Sequence, residues 1–450
     1  MTLFDTFTPW AFFVDFGLIS ALLLVGQILR AKIKLVQRLF IPPSLIAGLL
    51  GLALGPNGLG WLPFSESLGT YAAILIAIVF SALPFSSANT SMKEVVRTAG
   101  PMWAYAQLGM LLQWGIVGLF GLFIMKAIWP ELHDAFGIMF PTGFYGGHGT
   151  AAAIGSAFEG LNWEEARSLG MMTATLGVIC AIGGGLILIK WATRNKQTAF
   201  ISDFSELPDE LRSGLVPADK RTSIGTATTS SISIDSLTFH FALVCVAALI
   251  GYLCSRGVKA YFPMLELPVF SCAFVAGLLL KRLFDATKIS EYVCPQTTIR
   301  IGSMATDLLV AFGVASIKMS VIVKYALPLT VLVVCGTAIT LLITFYFGRK
   351  LSKNYWFERT IFAWGWWTGT MAMGIALLRI VDPKLSSKAM DDYALAYLPI
   401  APFEIALITL APIMFANGMG VWLLVACVAL AAVTLLVAWL MKWFVPLKKG

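Results

Sequence analysis

Five consecutive residues, Gly146-Gly147-His148-Gly149-Thr150, join freely turning backbone to two polar side chains. Glycine reaches positive φ and lets a ligand approach the main chain. An interrupted helix exposes N–H groups at one half and carbonyls at the other. The N–H end favours a carboxylate and the carbonyl end a small cation, with His148 and Thr150 as further ligands. The bland reading is tight helix packing on small residues. Pro141 and Gly143 lie just upstream, a density of breakers that a continuous packed helix does not need. A second stretch, Gly365-Trp366-Trp367-Thr368-Gly369-Thr370, repeats the plan with two rings that gate or line a site. Rings of this kind also serve as interfacial anchors.

Single residues add to these clusters. His148 has the side chain of a proton carrier, with an unperturbed pKa of ~6.5, and equally that of a residue fixed by hydrogen bonds. Glu404, two residues after Pro402, sits in the apolar run LPIAPFEIALITLAP. A carboxylate at such depth costs at least ~2.5 kcal/mol and marks either coupling or a structural pair. Asn89 follows Ser86 and Ser87 and can reach a site, although packing explains it as well. Asp15 and Asp307 lie nearer the ends of their runs and are expected to be solvated or to snorkel. No Gly-x-Ser-x-Gly elbow, His-Glu-x-x-His pair or phosphate-binding loop occurs, so enzyme chemistry and ATP-driven work find no residues to carry them. The seven cysteines form no Cys-x-x-Cys pair, and no cofactor is expected.

These residues are embedded in a chain that is 58% hydrophobic and 12% charged. A soluble domain needs about 25% charged residues, so lipid is the solvent here. The net charge of +8 fits basic loops at a membrane face, and no nucleic-acid partner is expected. Met1 to Trp10 lacks a basic region, so the first apolar run reads as a retained helix. Full spans are expected at 9–29, 39–55, 71–88, 100–128 and 168–191, then at 237–255, 264–280, 303–317, 325–348 and 393–416, with a last one at 421–443. The interrupted segments 136–158 and 360–378 read as re-entrant hairpins, because broken backbone at membrane depth must be satisfied by protein or a wet cavity. Residues 193–236 form a polar linker.

The two halves echo one another. IPPSLIAGLLG at 41–51 answers LPVFSCAFVAGLLLK at 267–281, and ANTSMKEVVRTAGP at 88–101 answers ASIKMSVIVKYALP at 315–328. GTAAAIG from Gly149 answers GTMAMG from Gly369. Matches in one order at similar offsets indicate duplication. An odd number of spans per half inverts the second copy, which is the plan of secondary transporters. With the N-terminus outside, 26 of the 32 Lys and Arg residues face the cytoplasm, with the linker and C-terminus. Lys126, Arg167, Arg256, Lys259, Lys318 and Lys324 are the exceptions. The expected fold is thus an all-α integral membrane protein of two inverted-topology repeats, 1–192 and 237–416. Each has five transmembrane helices and a re-entrant hairpin, and 417–450 adds a C-terminal transmembrane helix and tail.

Three features resemble the bacterial sodium/glutamate symporter family. They are Ile41-Pro42 followed by Ala47-Gly48-Leu49-Leu50, the stretch GGHGTAAA at 146–153, and Leu267-Pro268-Val269-Phe270. The resemblance implies sodium-coupled symport of glutamate in the bacterial inner membrane, by an elevator-type movement of the hairpin-bearing part of a homodimer. It implies Na+ as coupling ion and a small carboxylate as substrate, held at the hairpin tips. The sequence departs from the family pattern at Trp366-Trp367, where small residues are usual, and in its extra C-terminal span. Other solutes or proton coupling on the same fold, through His148 or Glu404, and a ligand sensor without transport stay open.

Overall fold

The computed structural model describes residues 8–38, 41–86, 92–200, 213–230, 232–261, 267–382 and 385–445. Asn89 lies outside them. In chain order the main helices are α1 (Pro9–Lys32), α2 (Pro43–Leu54), α3 (Leu68–Ser86) and α4 (Met92–Leu112). Next come α5 (Met139–Phe144), α6 (Gly147–Gly160), α7 (Ala166–Arg194), α8 (Ser236–Tyr261), α9 (Val269–Thr287) and α10 (Pro295–Ala315). The chain continues with α11 (Met319–Lys324), α12 (Ala326–Leu351), α13 (Trp356–Thr368), α14 (Met371–Val381), α15 (Ala389–Ala416) and α16 (Gly420–Leu440). No strand forms among the described residues.

Nine described helices are long and apolar enough to cross a bilayer, four in each half and one at the C-terminal end. Eleven full spans are expected from the sequence, and the two that fall short hold the same place in each half. α2 has 12 residues, about 18 Å of helix against a ~30 Å hydrocarbon core. α9 has 19 residues but carries Lys281, Arg282 and Asp285 in its second half. Apolar residues before α2 and within α9 lengthen the hydropathic run beyond what the helix, or its uncharged part, supplies.

The helices form two compact units that draw on both halves of the sequence. One comprises Met1–Gly26, Pro43–Asn89 and Val216–Ile317. In it α3 packs along α10 and α9, α8 along α9, and α2 against α10. Its core gathers Ile19, Leu22, Ala47, Phe64, Leu68, Tyr71 and Phe312. Asp15, expected to be solvated or to snorkel, is buried instead. Its carboxylate accepts hydrogen bonds from the Ser65 N–H at 2.9 Å and the Tyr71 hydroxyl at 3.0 Å, partners 50 residues or more away that no local pattern announces. Asp307 lies at the surface of its helix.

The other unit comprises Gln27–Pro42, Thr90–Leu215 and Lys318–Gly450 and holds both interrupted segments. Its spine is α7, which packs against α5, α6, α13 and α14. The reason is legible in its residues. Gly170, Ala174, Gly177, Ala181 and Gly185 recur at helical spacing and form a stripe without bulk, and such stripes let helices approach closely where lipid removes the hydrophobic drive. A Cβ added at Gly177 would come within 2.3 Å of the Thr368 carbonyl oxygen. One added at Gly170 would lie 3.3 Å from that of Ala151.

Candidate functional site

The first interruption falls between α5 and α6. Pro141 opens it, its carbonyl accepting the N–H groups of Tyr145 at 3.0 Å and Gly146 at 3.1 Å. Gly147 then takes φ +63° and starts α6 without a side-chain cap. The N–H groups of the first turn of a helix have no intrahelical partner, and here they belong to Gly147, His148, Gly149 and Thr150. Gly146 and Gly149 are half-buried, while Gly147, His148 and Thr150 are buried.

The second interruption lies between α13 and α14. Its break is at Gly369-Thr370, where Thr370 is the N-cap of α14 and its hydroxyl accepts the Met373 N–H at 3.4 Å. The Thr368 hydroxyl donates to the Trp364 carbonyl at 2.6 Å. Thr370 is half-buried and Met371 exposed.

The two breaks meet. A Cβ on Gly147 would stand 3.1 Å from the Gly369 carbonyl oxygen and 3.5 Å from the Thr370 methyl. The N-terminal turns of α6 and α14 therefore begin at one locus, beside the carbonyl end of α13. Donors from two helix starts suit an anion, and a helix C-terminus suits a cation.

The paired tryptophans diverge, because successive residues on a helix point about 100° apart. Trp367 is fully buried against Tyr105, with ring centroids 4.7 Å apart. Gly109 makes the room, since a Cβ there would meet that indole at 2.3 Å. Trp366 turns toward the first break, 4.9 Å from Tyr145 and 4.3 Å from Tyr393 by ring centroid. Of the pair, Trp366 bridges the interruptions and Trp367 anchors α13 to α4.

His148 faces the spine. Thr175 donates its hydroxyl hydrogen to the Met171 carbonyl at 2.9 Å. The His148 Nε2, 3.2 Å from that hydroxyl oxygen, is therefore its donor. This fixes the ring. Glu404 is buried, and its partner is the Tyr397 hydroxyl at 3.0 Å. Tyr393, Tyr397 and Glu404 share one face of α15, and Trp366 meets the two tyrosine rings edge-on.

Two further residues were not signalled by the motifs. Tyr145 directly precedes the glycines, and its buried hydroxyl has no hydrogen-bond partner among the described residues. Gln113 lies in a π-helical turn, Gln113–Val117, that continues α4. Its Nε2 donates to the Trp367 carbonyl at 3.1 Å while its buried Oε1 is unpaired among the described residues. The widened turn brings a side-chain amide to the carbonyl end of α13. A Gln in an apolar run is a visible signal, but the turn that aims it is not.

None of the curated proteins matches the chain. The model of the sodium/glutamate symporter family matches residues 14–372, which take in both breaks and end within α14. The helices that hold the breaks and the sequence that forms them thus lead to one assignment: the chain belongs to the sodium/glutamate symporter family.

Proposed function

We propose that the chain couples entry of sodium to that of glutamate or a related small carboxylate. The observation that carries this reading is the meeting of the two breaks, Gly147 against the Gly369 carbonyl. The substrate carboxylate is held by the N–H groups of residues 147–150 and by the first turn of α14 after Thr370. The cation is held at the carbonyl end of α13, by Gly365–Thr368 carbonyls, with the Thr368 hydroxyl and the Gln113 Oε1, unpaired among the described residues, as neighbours. Trp366 closes the side toward Tyr145 and narrows the pocket.

The wider architecture belongs to the same proposal. Repeats 1–192 and 237–416 are inverted copies, supported by the shared order of helices and by the shortfall of α2 and α9 at corresponding places. Segments 136–158 and 360–378 are re-entrant, entering from opposite faces, and residues 193–236 are a cytoplasmic linker. Both breaks belong to one compact unit, which supports an elevator-type movement of that unit. The protein is a homodimer of the bacterial inner membrane with its N-terminus outside.

The test is uptake of labelled glutamate into proteoliposomes under an inward sodium gradient, with choline replacing sodium as control. Sodium-dependent accumulation is expected. Thr150→Ala and Gly149→Leu should reduce it while the protein stays in the membrane, and full uptake by both removes the site from these residues. Glu404 favours a second reading, because it is a buried carboxylate whose hydrogen-bond partner among the described residues is the Tyr397 phenol. Uptake in sodium-free buffer that follows a pH gradient and is lost in Glu404→Gln would select proton coupling.

A further inference from the structure

The C-terminal turns of α7 and α12 flank an apolar groove of about 610 Å³. Its walls include Ile187, Trp191, Leu342 and Phe345, and its end is lined by Arg349 and Lys350. Ile187 and Leu342 are each 70% exposed. The groove runs along residues 341–350 of α12, about 14 Å of helix and so about half the hydrocarbon thickness.

One end is built differently from the rest. Arg349 and Lys350 form the last turn of α12, and Arg194 that of α7. Arg194 continues the face of Ile187 and Trp191 at helical spacing. The Arg349 guanidinium lies 4.6 Å above the Trp356 ring, which holds it in place. Trp356 packs at 6.2 Å on Phe345, and Phe345 at 5.9 Å on Trp191. An aromatic floor therefore passes from the apolar groove to Arg349, with Lys350 beside it and Arg194 in the last turn of the neighbouring helix. None of the three makes an ion pair among the described residues.

We infer that this groove is a binding site for an anionic phospholipid, its acyl chains along Ile187 and Leu342 and its phosphate at Arg194, Arg349 and Lys350. Charge complementarity selects this occupant. A zwitterionic lipid fills the apolar part equally well but brings its own cation to the basic end. Basic residues near a membrane surface favour anionic lipid by about fivefold each. Arginine adds a planar fork that matches a phosphate oxygen pair.

Native mass spectrometry of the lipid-stripped full chain tests the inference, with phosphatidylglycerol and phosphatidylcholine of identical chains as probes. Phosphatidylglycerol should bind at least about tenfold more tightly. A variant carrying Arg194→Gln, Arg349→Gln and Lys350→Gln should bind both lipids alike, with an unchanged melting temperature in phosphatidylcholine. Equal binding by the unmodified protein overturns the proposal, and so does a preference that survives in the variant. Leu342→Cys provides a second arm. If it cross-links two copies across the groove as readily with phosphatidylglycerol present as without, a second copy is the occupant and the lipid site is rejected. The measurement involves no uptake, so its failure is distinct from failure of the transport assay.

Discussion

The two interruptions break their helices by different physical means. At the first, backbone does the work: Gly147 adopts φ +63° and α6 starts without a side-chain cap. At the second, a side chain does it: Thr370 is extended, at φ −149° and ψ 163°, and its hydroxyl caps α14. Their surroundings differ in the same sense. The first break has glycines on either side of its turn. The second is preceded by Trp366 and Trp367, one packed toward the first break and one away from it. A break made by glycine presents unobstructed backbone N–H groups. A break made by a cap commits one of its donors to the threonine, and its aromatic neighbours fix its position. The first is the more open ligand surface and the second the more rigid support.

The largest expected effect follows from this contrast. Gly147→Ala puts a Cβ on a left-handed residue, which costs about 1–2 kcal/mol, and sets it 3.1 Å from the Gly369 carbonyl oxygen. Uptake in proteoliposomes should fall at least about tenfold, with the protein still inserted and folded. Gly369→Ala is the matched control. Gly369 sits at φ −140°, outside the left-handed region, and its new Cβ would meet the Ala181 Cβ at 3.0 Å. It should lose less activity. If the two variants lose equally, the distinction between a backbone break and a capped break collapses.

Much of this was readable in the chain, for reasons that differ by residue. Both interruptions were expected, the first from Pro141 and its glycines and the second from its likeness to the first, and the helices break within the expected segments, at Tyr145-Gly146 and Gly369-Thr370. Composition also indicated a membrane chain, because no arrangement of 12% charged residues dresses a soluble surface. Among the six basic residues that ran against the charge pattern, Lys126 pairs with Asp134, Arg167 with Glu159 and Lys324 with Glu165. Pairing reduces the weight of a basic residue as a topology signal, and sequence spacing does not reveal it across 159 residues. What stayed hidden was direction. Trp366 and Trp367 read as one pair, yet the gap left by Gly109 draws the second toward α4. His148 read equally as a ligand or proton carrier and as a residue fixed by hydrogen bonds, and its partner Thr175 lies on another helix. Periodicity tells which residues share a face; only the neighbouring helix tells what that face meets.

A smaller effect tests the capped break alone. Thr370→Ala removes the N-cap of α14, and such losses cost about 0.5–2 kcal/mol, with the 3.4 Å hydrogen bond placing it at the low end. Uptake should fall a few-fold. Thr370→Ser should restore it, since the hydroxyl and not the methyl makes the cap. If serine fails to rescue, the methyl that faces Gly147 matters more than the cap, and the second break depends on contact with the first.

The smallest effect concerns the ties that hold the two segments at their bases. Beyond the first, Lys324 donates to Glu165 at 2.9 Å, with the lysine largely in solvent. Beside the second, Arg359 pairs with Asp392, both side chains under 20% exposed. Surface pairs are screened by water and contribute little, so Lys324→Ala should move the melting temperature by no more than about 2 °C. Arg359→Ala leaves a half-buried carboxylate without its partner and should exceed it. The pH dependence separates the first tie from general instability. The hydrogen bond from Lys324 holds the Glu165 carboxyl below its usual value of 4.5. The stabilisation is therefore present in full above that value and is lost as pH falls through the lowered one. The difference between the unmodified protein and Lys324→Ala should accordingly be visible at pH 7 and vanish in acid. A difference that persists unchanged below Glu165's own pKa would mean that Lys324 acts through something other than this carboxylate, its packing over the Tyr325 ring at 4.8 Å being the contact left to carry it.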